Sequence, residues 1–227
     1  QENPRNVLED IDGIKYILEL SKNTGVKRVF FSSSSEVYGE PVELPQHEHT
    51  TPLNSRVPYA IVKNVGEAYL KSYKQEYDLD YTIFRFFNTY GVNQSPDFVV
   101  TRFIRSALNN QDITVYGDGS QTRTFCYVDD NIDSCVKILD ENKVVNDIIN
   151  IGGDVVIKII DLAKMIISLT NSDSKIINLP PLKDGDMTRR QPDNTKMLSI
   201  LGRDLLSIEE GIKLMLADEN FVNSCVE

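Results

Sequence analysis

At 227 residues, with 41 % apolar and 26 % charged side chains, the chain is long enough for one or two domains with a real core and too apolar for general disorder. Its 34 acidic against 24 basic residues leave a formal charge of −10, which argues against a nonspecific nucleic-acid binder while leaving room for an anionic small molecule held by a few placed arginines. No apolar run approaches the roughly 18 residues of a membrane span, the first residues resemble neither a signal nor a transit peptide, and Cys126, Cys135 and Cys225 lack a Cys-x-x-Cys spacing, so a soluble cytoplasmic protein with free thiols is expected.

Helix and strand patterns alternate along the chain, the signature of an α/β fold. Residues 7–22 place Val7, Leu8, Ile11, Ile14, Ile17 and Leu18 on one helical face; Gly25 ends that helix, and residues 26–32 follow as a β-rich strand. A loop rich in Pro, His and Glu runs over residues 39–58. A second helix is predicted over 59–77 and a buried strand over 80–87. These units predict part of a parallel, doubly wound sheet. Past Gly91 the pattern predicts a helix at 98–108, a strand at 113–116, a Gly117-Asp118-Gly119 turn and a helix at 131–140. A strand at 148–151, a helix at 159–169, a strand at 175–179 closed by Pro180-Pro181 and a helix at 208–216 complete it. The second half reads as a smaller mixed region packed on the first, with the division placed near residue 92. There is no internal repeat and no low-complexity tract.

Tyr59 and Lys63 are spaced i, i+4, so a helix puts them on one face. An ammonium beside a phenol favours the phenolate, which can take a hydroxyl proton while hydride leaves for a nicotinamide. The plainer reading is a surface Tyr beside a solvated Lys. Ser32-Ser33-Ser34-Ser35-Glu36-Val37-Tyr38-Gly39 ends the first strand, where ligands bind in open α/β sheets. There Ser34 can share a substrate proton and Glu36 can act as a base, or the run is only a polar turn. Asn88 ends the next strand, opening onto the same crevice or merely capping a loop. His47 and His49 alternate along the loop, but no Cys or carboxylate motif at ligand spacing supports a metal site.

Together these stretches resemble the extended short-chain dehydrogenase/reductases of the NAD-dependent epimerase/dehydratase group, which modify nucleotide sugars. The resemblance also takes in Pro58-Tyr59-Ala60-Ile61-Val62-Lys63, Arg85-Phe86-Phe87-Asn88-Thr89-Tyr90-Gly91 and Val115-Tyr116-Gly117-Asp118-Gly119-Ser120-Gln121-Thr122-Arg123. Tyr127-Val128-Asp129-Asp130, Asn150-Ile151-Gly152 and the run from Gly185-Asp186 to Arg190-Gln191-Pro192-Asp193 follow in family order. The resemblance implies that Tyr59 deprotonates a sugar 4-hydroxyl, that Lys63 holds the nicotinamide ribose, and that Ser34 bonds the same hydroxyl. Glu36 matches the acidic position of the decarboxylases and 4,6-dehydratases. Cofactor contacts are implied at Ser32, Tyr59, Lys63 and Phe86. Asn88, Tyr116, Arg123, Asp186 and Arg190 are implied on the nucleotide-sugar side, with Arg123 clamping the diphosphate; Arg189-Arg190 otherwise reads as a solvated surface pair. NAD is the implied cofactor, a UDP-sugar the implied substrate, and a homodimer the implied form of the intact family member.

A complete family member opens with a strand, a Gly-x-x-Gly-x-x-Gly turn and a helix whose N-terminus holds the cofactor pyrophosphate. That motif is missing from this sequence, and where the family commonly has Asn-x-x-Gly the chain reads Asp10-Ile11-Asp12-Gly13. The expectation is therefore an incomplete Rossmann-type doubly wound parallel sheet at 1–92, with residues 29–31 on an open edge. A smaller mixed α/β nucleotide-sugar-binding region is expected at 93–227. Chemistry through a 4-keto sugar is expected, with 4-epimerisation of a UDP-sugar slightly favoured over UDP-glucuronate decarboxylation or 4,6-dehydration. The chain alone is expected to be inactive, and a non-catalytic nucleotide-sugar-binding remnant is the alternative from another class.

Overall fold

The structure, a computed structural model, describes residues 4–181 and 189–226. Helix α1 (Pro4–Asn23) leads into β1 (Arg28–Ser34), a single 3-10 turn (Ser35–Tyr38) and, after the long loop, α2 (Pro58–Tyr77) and β2 (Asp80–Phe86). β3 (Thr89–Tyr90), α3 (Val99–Leu108), β4 (Ile113–Tyr116), β5 (Thr122–Thr124), β6 (Cys126–Tyr127), α4 (Val128–Asp140) and β7 (Asp147–Ile151) come next. The chain closes with β8 (Val156–Lys158), α5 (Ile159–Thr170), β9 (Ile176–Leu179), α6 (Thr195–Leu201), α7 (Ile208–Ala217) and α8 (Glu219–Cys225).

The central sheet is parallel, in the order β1-β2-β7, with Phe31 opposite Ile83 and Ile83 opposite Ile148. Parallel strands are covered on both faces, and their alternating side chains sort accordingly. Tyr81, Ile83 and Ile148 pack with Leu18 of α1 and Leu70 and Tyr73 of α2 on one side. Phe84, Ile149 and Ile151 pack with Ile138 of α4 and Met197 and Ile200 of α6 on the other. This is the α/β, doubly wound arrangement expected from the sequence. Its third strand, β7, comes from beyond residue 92, so the sheet draws on both halves of the chain. Among the described strands β1 is an edge, and Phe30 on it remains 37 % exposed.

A second core gathers Val100, Phe103 and Ile104 of α3, Ile113 and Val115 of β4, Leu162 and Ile166 of α5, and Ile212 and Met215 of α7. Around it lie β4-β9, β5-β8 and β3-β6, each a pair of short strands. Such strands, two to four residues long, show too little alternation for periodicity to reveal β3, β5, β6 or β8. The helix predicted from Asn131 starts three residues earlier, at Val128, because Asp129 and Asp130 sit in its first turn, where carboxylates favour a helix N-terminus. On α1 the sequence pattern is only partly realised: Leu18 is buried, whereas Ile17 faces solvent.

Two glycines allow close approaches that position the site. Gly66 of α2 lies against Phe31 of β1, where an added Cβ would come within 2.3 Å of the ring. Gly39, at φ +64, ends the 3-10 turn where a Cβ would sit 2.0 Å from the Asn54 carbonyl oxygen.

Candidate active site

The C-terminal ends of β1 and β2 open into a cavity of about 530 Å³. Ser34, Glu36, Tyr59, Phe86, Asn88 and Arg190, all expected as site residues, line it together. Ser34 caps the 3-10 turn, its Oγ accepting from the Glu36 amide at 3.2 Å, which leaves the hydroxyl proton for a ligand. Tyr59 stands in the first turn of α2 and is 36 % exposed. The Lys63 ammonium lies 5.5 Å from its ring and 5.4 Å from that of Phe31. Burial lowers the Lys63 pKa, with the charge of Asp10 opposing. Asn88 adopts a positive φ of 22° and donates from Nδ2 to the Thr124 carbonyl at 2.9 Å, tying β2's end to β5.

Sequence reasoning treated Glu36 and Arg190 separately. In the structure they meet, the Arg190 Nη2 donating to Glu36 Oε1 across 154 residues of chain. Among the described residues they are the only charged side chains lining the cavity. The Arg190 Nε–H is buried and finds no partner among the described residues. The approach is built by backbone pairing: Gln46 bridges Pro192, and Arg189 bridges Thr122. The second bridge also brings Arg123 of β5 beside this segment. Arg123 is buried and donates from Nη1 to the Thr122 carbonyl at 2.8 Å.

Four expected residues fall outside the cavity lining: Ser32, Lys63, Tyr116 and Arg123. Ser32 is exposed on β1, two residues before Ser34 and so on the same face. Tyr116 ends β4, half-buried, with the Arg102 guanidinium 5.9 Å from its ring centroid. Asp186 lies outside the described residues. Gln94, Phe98, Val99, Val100 and Phe125 also line the cavity. For the first four the only signal in the sequence is that residues 92–100 follow directly on a strand end, whereas Phe125 comes from between β5 and β6. Tyr90 lines it too, but burial holds its phenol far above the usual range, so it is wall and not base. His49 pairs with Asp147 at 3.0 Å, and among the described residues no group of three His, Cys, Asp or Glu side chains is arranged to hold a metal. No described helix is long and apolar enough to cross a membrane.

Comparison with known proteins places this geometry in context. UDP-glucuronic acid decarboxylase 1 of Danio rerio is 36 % identical over 207 residues, covering 88 % of this chain and 49 % of that protein. UDP-N-acetyl-alpha-D-glucosaminuronate decarboxylase of Bacillus cytotoxicus is 36 % identical, covering 90 % of this chain and 67 % of that protein. The chain thus spans about half to two-thirds of the length of these relatives. Among solved structures, UDP-glucose 4-epimerase of Thermotoga maritima with UDP-glucose superposes with a TM-score of 0.86 at 33 % identity, over 94 % of this chain and 71 % of that one. UDP-glucuronic acid 4-epimerase of Bacillus cereus, in complex with UDP-glucuronic acid and NAD, superposes with a TM-score of 0.84 at 27 % identity, over 94 % of this chain and 67 % of that one. Residues 1–152 match the sequence profile of one family throughout, and on that match the chain belongs to the NAD dependent epimerase/dehydratase family.

Proposed function

We propose that these residues work in an NAD-dependent enzyme that modifies a nucleoside-diphosphate sugar through a ketone at C4, and that the reaction is decarboxylation of a uronic-acid sugar. NAD is the cofactor of the family. The residues present fit its nicotinamide end: Tyr59 and Phe86 line the cavity, and Lys63 is half-desolvated behind them. The Gly-rich turn for its pyrophosphate is not in this sequence, so the reading applies where such a turn is joined to these residues. When bound, NAD supplies the acceptor for hydride from C4.

Tyr59 takes the proton of the C4 hydroxyl, the ammonium of Lys63 favouring the anionic phenol, and the Ser34 hydroxyl orients the same oxygen. The observation that favours decarboxylation is the Glu36–Arg190 pair in the cavity. Arg190 offers a carboxylate a guanidinium whose buried Nε–H has no partner among the described residues. A carboxylate on C5, next to a C4 ketone, leaves as carbon dioxide; the C–C bond electrons pass to the ketone oxygen as an enolate, and C5 then takes a proton. Glu36 is the carboxyl group at hand for that proton. The second reading is 4-epimerisation, supported by the likeness to UDP-glucose 4-epimerase. It needs Tyr59 and Ser34 but neither Glu36 nor Arg190.

UDP-glucuronate with NAD, given to a protein in which a Gly-rich turn is joined to these residues, is the deciding substrate mixture. Carbon dioxide released in step with a UDP-pentose, followed by NMR, is the expected result. Interconversion of UDP-glucose and UDP-galactose with no gas would replace decarboxylation by epimerisation. Tight nucleotide binding with no turnover of either sugar would replace both by a binding module.

The diphosphate end gives a separate expectation. If Arg123 clamps the phosphates, Arg123→Ala weakens UDP binding roughly ten- to a hundredfold, the worth of a charge-assisted contact of about 1.5–3 kcal/mol. Tyr59→Phe leaves UDP affinity unchanged, because Tyr59 serves the sugar. Calorimetric titration of folded variants checks both, and equal affinity in wild type and Arg123→Ala would move the diphosphate elsewhere.

A further inference from the structure

Tyr59 and Lys63 share the inner face of α2 with a third residue, Glu67, at i, i+4 and i+8. Glu67 is 1 % exposed and receives a two-pronged bond from Arg85 of β2: Nε to Oε1 at 2.9 Å and Nη2 to Oε2 at 2.6 Å. The Ser33 hydroxyl of β1 donates to the same Oε1 at 2.6 Å. Arg85 is also 1 % exposed, and its Nη1 donates to the Tyr38 hydroxyl at 2.9 Å and to the Glu48 carbonyl at 3.1 Å. The Tyr38 hydroxyl donates in turn to Asn150 Oδ1 at 2.8 Å, and Asn150 Nδ2 donates to the carbonyls of Gln46 and Asp193. Asp193 and Gln46 belong to the backbone pairing that delivers Arg190 to Glu36.

We propose that Arg85 and Glu67 are positioning residues: one buried guanidinium sets the Tyr59/Lys63 face of α2 against β1 and β2 and, through Tyr38 and Asn150, also sets the segment that carries Arg190. The two sides of the cavity come from distant stretches of sequence, and both lean on Arg85. A buried ion pair is a poor device for stability alone, because well-packed apolar residues of similar volume often do as well. A bidentate pair does fix direction and register, which apolar contacts do not. Gly66, the neighbour of Glu67, adds the close approach to Phe31 that this register requires. The significance of the two faces rests on the functional reading above; the placement itself does not.

The test uses Lys63, whose packing over Phe31 reports the seating of α2. Lysines carrying an isotopic methyl label are titrated by NMR in wild type, Glu67→Gln and the apolar double variant Glu67→Leu with Arg85→Leu; Lys63→Arg identifies the signal. Wild-type Lys63 is expected to titrate below the exposed lysines. In the double variant, folded by circular dichroism and with a denaturation midpoint near wild type, it is expected to move up to join them. The double variant keeps the test valid if Glu67→Gln does not fold. UDP binding is measured on the same samples. If Lys63 titrates as in wild type in a folded double variant, the inference is overturned, whatever binds. If Lys63 moves but wild type binds no UDP, the functional reading fails and the positioning role stands.

Discussion

Arg85→Met is expected to destabilise the fold by about 3–5 kcal/mol, the usual result of breaking a fully buried ion pair from one side. The cost comes from what stays behind. Glu67 would keep its carboxylate at 1 % exposure with only the Ser33 hydroxyl as partner, and the Glu48 carbonyl and the Tyr38 hydroxyl would each lose a donor. Urea denaturation of wild type and variant measures the difference through the midpoint at constant slope. A loss within about 0.5 kcal/mol, the ordinary range for a surface substitution, would mean that the network carries no net stability. The apolar double variant, which leaves no charge behind, is expected to recover most of the loss.

That network also explains which parts of the molecule were legible in the sequence. Long elements with a strong period were: the helix of Tyr59 and Lys63, the strand before Phe86 and the helix from Ile159 all fall within a residue or two of expectation. The side chains collected at the strand ends were legible for the same reason, since a parallel sheet brings Ser34, Phe86 and Asn88 together at the C-terminal ends of its strands once β1 and β2 are placed. What escaped were features made by contacts between distant stretches. Helix α6 has seven residues, and what holds it is Met197 and Ile200 packing on β7 rather than any period of its own. Arg85 reads as an odd charge in an apolar strand until Glu67, Tyr38 and Glu48 are seen around it. The meeting of Glu36 with Arg190 depends on Gln46, Pro192, Thr122 and Arg189 pairing as isolated bridges, which no local pattern announces.

Glu36→Gln should lower product formation from UDP-glucuronate by about 10²–10⁴-fold, the range for losing a positioned acid or base. The first half of the reaction should survive, because Tyr59 and Ser34, which we propose act on the C4 hydroxyl, are untouched. Reduced nicotinamide would then accumulate on mixing, whereas the unsubstituted enzyme, with the Gly-rich turn joined, would be expected to return to the oxidised form at the end of each turnover. Gln keeps the shape and can still accept from Arg190 Nη2, so the guanidinium stays placed and substrate affinity changes little. A fall in kcat without a rise in KM would therefore assign Glu36 to proton transfer at C5. Arg190→Ala is expected to behave differently: the cavity loses the cation that would hold a C5 carboxylate, so KM for UDP-glucuronate should rise while UDP-glucose binds as before. If both variants convert UDP-glucuronate within about twofold of wild type, the pair serves only to brace the wall, and epimerisation by Tyr59 and Ser34 becomes the better account of the cavity.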